Sequence, residues 1–182
     1  MSHQLARSSI KVFFALWPTA SERSHLAAWQ KPLKVLCGGR AMSGETLHNT
    51  VVFIGNVPQS RLEPLQLAAQ EMNANRFELC FDVARYWGHN HIVYAAPVET
   101  PRQLSELVLE LEKSLARHGF KFDIREYRPH VTLMRNAHWT DSPLPAMQPV
   151  CWQVNDFALV QSLSHEGKAD YRVLGRFPLA PR

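Results

Sequence analysis

Cysteine is scarce in this chain. Cys37, Cys80 and Cys151 are far apart in 182 residues, odd in number, and form no CxxC pair. That placement argues against a disulfide framework and against a zinc site, so three reduced, buried thiols are expected. Long apolar runs are also missing. None could span a bilayer, and residues 1–9 have no apolar core of signal-peptide length. The expectation is a soluble cytoplasmic protein with a flexible tail over residues 1–9 and a single two-lobed domain over residues 10–182. A large excess of one charge is lacking as well. Twenty Lys and Arg against sixteen Asp and Glu leave +4. This mild basic bias suits a phosphate-bearing partner and not a protein that coats nucleic acid. Hydrophobic residues at 46% and charged residues at 20% make an ordinary globular balance, which excludes long disordered spans.

What is present reads as strands with three interspersed helices, an α+β chain. Ile10 to Trp17 is a β-branched and aromatic run ending at Pro18, a buried strand. Thr19 or Ser21 can cap a helix that Pro32 should bend and Gly38-Gly39 should stop. A strand follows from Leu47, closed by Gly55-Asn56. Pro58 and Ser60 open a second helix to about Asn75. Phe77 to Tyr86 and His91 to Ala96 read as strands joined by a turn at Trp87-Gly88-His89-Asn90. Arg102 to His118 has the clearest helical stripe, in Leu104, Leu107, Leu111 and Leu115. After a strand around His130 and a proline-rich loop, Asn136 to Pro149, two last strands are expected. They cover Cys151 to Leu163 and Tyr171 to Leu179, with a turn around His165 to Asp170.

Two of these strands carry the same pattern. Leu47-His48-Asn49-Thr50-Val51-Val52-Phe53-Ile54 and Arg128-Pro129-His130-Val131-Thr132-Leu133-Met134-Arg135 each place a histidine and a threonine two residues apart. Strand side chains alternate, so each His and Thr share a face. Nine histidines and six threonines predict about 0.3 chance His-x-Thr occurrences. The chain has three. The third, His138-Trp139-Thr140, lies in a polar loop with no apolar run to hold its geometry, and reads as coincidence. His89-x-His91 has no carboxylate or cysteine nearby and reads as a turn, not a metal site. His118 beside Gly119 reads as a helix C-terminal cation or cap, and His3, His25 and His165 as surface residues.

The paired motifs carry a resemblance. With the early FFAL strand (Phe13 to Leu16), LHNTVVFIG (Leu47 to Gly55), RPHVTLMR (Arg128 to Arg135) and the terminal YRVLGRFPL (Tyr171 to Leu179), the chain resembles the two-histidine (2H) phosphoesterase superfamily. Within it, the chain resembles the bacterial RNA 2′,3′-cyclic phosphodiesterase family, also called 2′-5′ RNA ligase. The resemblance implies two pseudo-symmetric lobes of mainly antiparallel sheet with flanking helices and a cleft between them. It implies hydrolysis of a terminal 2′,3′-cyclic phosphate to a 2′-phosphate, with His48 as acid, His130 as base and Arg135 as a phosphate contact. Strict alternation would set Arg135 on the face opposite His130 and Thr132. Asn49 stands where the family usually has an apolar residue. It faces away from the His/Thr side, so altered packing is expected and not lost chemistry. The loop Arg40 to Glu45 lacks the family's proline-rich look.

The chemistry suits these residue types. In-line attack by water needs one group to take a proton and another to give one. An ordinary imidazole titrates near pH 6.5 and can do either. Thr50 and Thr132 can donate hydrogen bonds to non-bridging phosphate oxygens. No metal or other cofactor is required. The partners expected are RNA 3′ ends or small cyclic nucleotides as substrate, with no membrane and no obligate protein partner, and a monomer is expected. The alternatives are 2′-5′ ligase or phosphodiesterase activity, or a non-catalytic nucleotide or RNA-end binding module. Phe13 and Phe14 alternate in and out of their strand and are expected to pack in the core. Arg128 is expected to be a solvated strand-end charge.

Overall fold

The computed structural model describes residues 8–181. Residues 1–7 of the expected tail, His3 among them, lie outside the described residues. Ser8 already donates to Gln59, and Ser9 is in a strand.

Ten strands and four helices follow in the order β1 (Ser9–Leu16), α1 (Ala20–Ala28), α2 (Gln30–Cys37), β2 (Arg40–Ala41), β3 (Asn49–Pro58), α3 (Leu62–Gln70), β4 (Phe77–Phe81), β5 (Val83–Trp87), β6 (Ile92–Ala96), α4 (Arg102–Arg117), β7 (Val131–Arg135), β8 (Val150–Val154), β9 (Asp156–His165) and β10 (Lys168–Pro178). The main sheet runs β10-β9-β1-β3-β7-β6-β5, with β2 on β7; β4 and β8 form a separate pair. Every strand pairing is antiparallel. The result is the expected α+β architecture of two lobes. One ends at β3, the other begins at β7, and a single registered pair, Asn49 opposite Val131, joins them.

The core lies between this sheet and the helices. Leu104, Leu107, Leu111 and Leu115 of α4 are all fully buried, as their spacing requires. Ser114, on the same side, donates to the Ala68 carbonyl of α3 at 2.7 Å, which ties the two long helices together. No helix among the described residues is long and apolar enough to cross a membrane.

Several expected elements divide. The first helix breaks at Trp29, whose indole donates to the Gln148 carbonyl at 3.0 Å. Pro32 then falls in the first turn of α2, where its missing N–H costs nothing. The strand expected from Phe77 to Tyr86 splits at Asp82, whose carboxylate accepts from the Val98 N–H. Its halves join different sheets. The strand expected from Cys151 to Leu163 splits at Asn155 for the same reason. The second helix stops at Gln70, short of Asn75, and Gly55 lies within β3 instead of closing it. The last turn is tighter than expected. Glu166 and Gly167 both have positive φ, and that two-residue turn brings His165 opposite Lys168.

The cysteine expectation is overturned. The register of β4 on β8 sets Cys80 directly opposite Cys151, with Cα atoms 4.0 Å apart, and the two are disulfide-bonded. The pairing is set by Phe77, Leu79, Phe81, Val150 and Val154 turning inward, across 71 residues of sequence. Among the described residues Cys37 alone is free; it is buried, and burial pushes its thiol pKa up.

Candidate active site

Each motif strand is held from below. Leu47 and Val51 flank the first histidine from the core side, as Pro129, Val131 and Leu133 flank the second. His48, Thr50, His130 and Thr132 are left half-buried on the other face. The register that pairs Asn49 with Val131 sets His48 across from Thr132 and Thr50 across from His130. Together with Arg135 they line one cleft of about 280 Å³, floored by Phe13 and bordered by Lys11 and Tyr171. A wider groove of about 600 Å³ leads away from His130 along Trp87 and the segment 125–128.

The two imidazoles are mounted in the same way. His48 Nδ1 lies 2.7 Å from the Thr46 carbonyl oxygen, and His130 Nδ1 lies 2.8 Å from that of Arg128. A carbonyl only accepts, so each Nδ1 carries the proton and donates. That leaves Nε2 of both rings for proton exchange. Arg128 thus serves the site through its backbone. Its exposed guanidinium pairs with Glu126 at 2.8 Å, consistent with a surface charge.

Burial depresses both imidazoles. It pushes the His48 pKa down to about 4, helped by His130 and Arg135 and opposed by the bond to Thr46. His130 is lowered chiefly by burial, with Arg135 adding to it and the Arg128 bond opposing. Near neutral pH both rings are therefore uncharged in the free protein.

A bulge explains how Arg135 reaches the site. On β6, Val93 pairs with Met134 and the next residue, Tyr94, pairs with Thr132, so Leu133 is extra on β7. Leu133 and Met134 both turn into the core. Alternation is reset, and Arg135 comes to the His130 and Thr132 side. The opposite-face placement expected from strict alternation is corrected accordingly. The first motif repeats the device. Phe14 pairs with Val52 and Ala15 with Thr50, so Val51 is extra. Val51 and Val52 are both buried, and Phe53 faces the cleft. Phe53 occupies the position in its motif that Arg135 occupies in the other.

Other neighbours were not legible as site residues. Trp17 stacks on His48, with centroids 5.3 Å apart at 17°. Trp87 meets His130 edge-on at 4.7 Å and 73°. Tyr171 reaches the His48 ring from β10, at 5.1 Å. Lys11 and Phe13 share a face of β1, and that alternation is the one signal that could have found Lys11. Phe14 packs in the main core and Phe13 in a smaller cluster with Ala15, Ala158 and Val160, both as expected; the Phe13 ring also lies 5.0 Å from His48.

Remaining histidines lie elsewhere. His91 Nδ1 is 3.1 Å from the Tyr86 hydroxyl, and His89 is exposed. Among the described residues no three His, Cys, Asp or Glu side chains cluster as metal ligands. His138-Trp139-Thr140 lies in a loop, with Trp139 exposed. His118 pairs with Glu71 of the neighbouring segment at 2.8 Å.

Known proteins share the fold that carries this cleft. RNA 2′,3′-cyclic phosphodiesterase of Escherichia coli (strain K12) is 28% identical over 169 residues, covering 93% of this chain and 96% of that protein. The crystal structure of E. coli LigT in apo form superposes with a TM-score of 0.84 at 28% identity, over 94% of this chain and 98% of that one. LigT complexed with 3′-AMP superposes with a TM-score of 0.83 at 28% identity, over 94% and 99%. The model of the 2′-5′ RNA ligase superfamily matches residues 18–166, and the chain belongs to that superfamily, a branch of the 2H phosphoesterases.

Proposed function

We propose that this chain is an RNA 2′,3′-cyclic phosphodiesterase that adds water to a terminal cyclic phosphate and leaves a 2′-phosphomonoester. The observation that carries the reading is the matched mounting of His48 and His130, each held through Nδ1 on the carbonyl two residues earlier, just ahead of its strand. Both present Nε2 to one cleft, with Thr50, Thr132 and Arg135 around it. The E. coli relative bears this activity in its name, and LigT has been crystallised with 3′-AMP. The domain expected over residues 10–182 acts as one two-lobed unit in this reading. RNA ends are its substrate, and the cytoplasm is where we expect it to meet them.

His130 Nε2 takes a proton from water as the water oxygen bonds to phosphorus. The P–O3′ bond breaks, and His48 gives its Nε2 proton to O3′. The acid and base roles follow the family resemblance. His48 is uncharged in the free protein near neutral pH, so its proton must arrive with substrate. The anionic phosphate favours the imidazolium and draws that proton in. Threonine hydroxyls donate to the non-bridging oxygens, and the Arg135 cation offsets the charge that builds there. Every proton is carried by these side chains, so the scheme runs without a metal ion.

The test is an RNA ending in a 2′,3′-cyclic phosphate, incubated with EDTA, with 2′- and 3′-phosphate products resolved. We expect the 2′-phosphate, and we expect His48→Ala and His130→Ala each to lose about 10²–10⁴-fold or more in kcat. A 3′-phosphate would reverse the assigned roles. Full turnover in either variant would remove two-histidine catalysis. Binding without turnover by the wild type would leave an RNA-end binding module.

A further inference from the structure

We propose that Asn49 is a positioning residue that, with Tyr127, sets the relative placement of His48 and His130; the inference rests on the function proposed above. Asn49 is one of two fully buried polar residues among those described, Ser114 being the other. It stands where the resemblance leads one to expect an apolar side chain, so packing would be met more cheaply by leucine or valine. Its polar atoms are all used. Asn49 Oδ1 accepts from the backbone N–H of His130 at 2.8 Å. Asn49 Nδ2 donates to the Tyr127 hydroxyl at 2.8 Å, and that hydroxyl donates to the Thr50 carbonyl at 3.2 Å.

The location makes these bonds consequential. Between β3 and β7 the backbone ladder has the one registered pair, Asn49 with Val131. The two halves of the site meet at that seam. The Asn49 amide follows His48 directly in sequence and grips the amide of His130. Tyr127 closes the loop back to Thr50. One side chain thus ties both histidines and one threonine across a seam that the ladder alone leaves thin. A buried amide or phenol keeps its place only when its partners are in place. The network therefore has one satisfied arrangement, and that arrangement fixes how far apart the imidazoles sit. In-line displacement needs one imidazole at the attacking oxygen and the other at the leaving oxygen, and it is sensitive to that distance.

The test compares wild type, Asn49→Leu, Tyr127→Phe and their combination on an RNA 2′,3′-cyclic phosphate, with Ser114→Ala as a remote control that also loses a buried hydrogen bond. Asn49→Leu should lower kcat by about 10–100-fold while KM stays within about twofold, because the phosphate contacts remain but the proton-transfer geometry slips. Tyr127→Phe should lower kcat less. The combined variant should be no worse than Asn49→Leu, because both remove one tie. Ser114→Ala should keep wild-type kcat when assayed below its melting temperature. An Asn49→Leu enzyme with kcat within about twofold of wild type would overturn the inference, as would an equal kcat loss in Ser114→Ala. If Asn49→Leu does not fold, Tyr127→Phe decides: it keeps the ring, and an unchanged kcat in it overturns the inference. Absence of turnover in wild type would overturn the proposed function and this inference with it. Wild-type turnover that ignores both substitutions would overturn this inference alone.

Discussion

Trp17 lies nearly flat on His48, 17° from parallel with centroids 5.3 Å apart. The indole shields one face of the imidazole from water, and burial is the main cause of that ring's depressed pKa. Replacing the indole admits water to that face. Trp17→Ala should therefore raise the His48 pKa from about 4 toward the ordinary 6.5. An NMR titration of the His48 ring checks this. A pKa that stays put would show that the strands, and not the indole, keep the ring dry.

The two depressed imidazoles fix the direction of the pH dependence. The proposed mechanism needs one ring protonated and one neutral, and kcat/KM reports the free enzyme. Both free-enzyme pKa values lie below 6.5, so kcat/KM should peak on the acid side of that value and fall as pH rises and both protons leave. The kcat profile should peak at higher pH, because bound phosphate favours the imidazolium. Coincident profiles centred above pH 7 would contradict this account.

The same groups tie folding to pH. The unfolded chain takes up a proton at His48 near pH 6.5, the folded chain near 4. Stability should be full above 6.5 and decline as pH falls toward 4. Inorganic phosphate, by stabilising the charged ring in the cleft, should oppose the decline. Melting curves from pH 7 to 4, with and without phosphate, test both statements.

Arg135 faces the cleft because Leu133 is bulged, and Gly39 packs closely against β7 there. A Cβ on Gly39 would meet the Arg135 carbonyl oxygen at 2.7 Å, and its φ is +83°. Arg135→Ala should raise KM by about tenfold, the low end for a charge-assisted hydrogen bond given its exposed guanidinium. Gly39→Ala should raise KM in the same direction and also lower the melting temperature. Steady-state kinetics beside thermal melts separate the two. A Gly39→Ala enzyme with wild-type KM would show that β7 absorbs the clash without moving Arg135.

The Cys80–Cys151 bond lies on a two-stranded sheet apart from the cleft. Reduction, or Cys80→Ser with Cys151→Ser, should destabilise the fold by about 2–4 kcal/mol through the longer unfolded chain. At a temperature where the reduced protein stays folded, kcat/KM should be unchanged. A large loss of activity in the reduced, folded protein would mean that this sheet bears on the site.

Much of the site was legible because alternation is local. His48 with Thr50, and His130 with Thr132, follow from a two-residue period within each strand. Arg135 was misplaced by that same rule, since a bulge depends on the neighbouring strand and leaves no mark in β7 itself. The divisions at Asp82 and Asn155 were hidden for a similar reason. Each half-strand is a good strand by composition, and only its partner decides which sheet it joins. Cys80 and Cys151 meet through a register set by residues 71 positions apart. Trp17 and Trp87 are ordinary aromatic strand ends in sequence; their contact with imidazoles exists only once distant strands are side by side. Asn49 stands out in the sequence as a departure, but its two side-chain hydrogen bonds belong to tertiary structure.

The carbonyl that holds each imidazole comes from two residues earlier in the chain, just ahead of the strand, and the bulge comes one residue after each threonine. The carbonyl contact that orients each ring is thus written within three consecutive residues, while the placement of one ring relative to the other is set across the seam, through Asn49 and Tyr127. Such a cassette is portable. Two copies set across any antiparallel seam in the Asn49–Val131 register would arrive with both rings already pointed at a common centre. For a designer, the part left to invent is the joint between them.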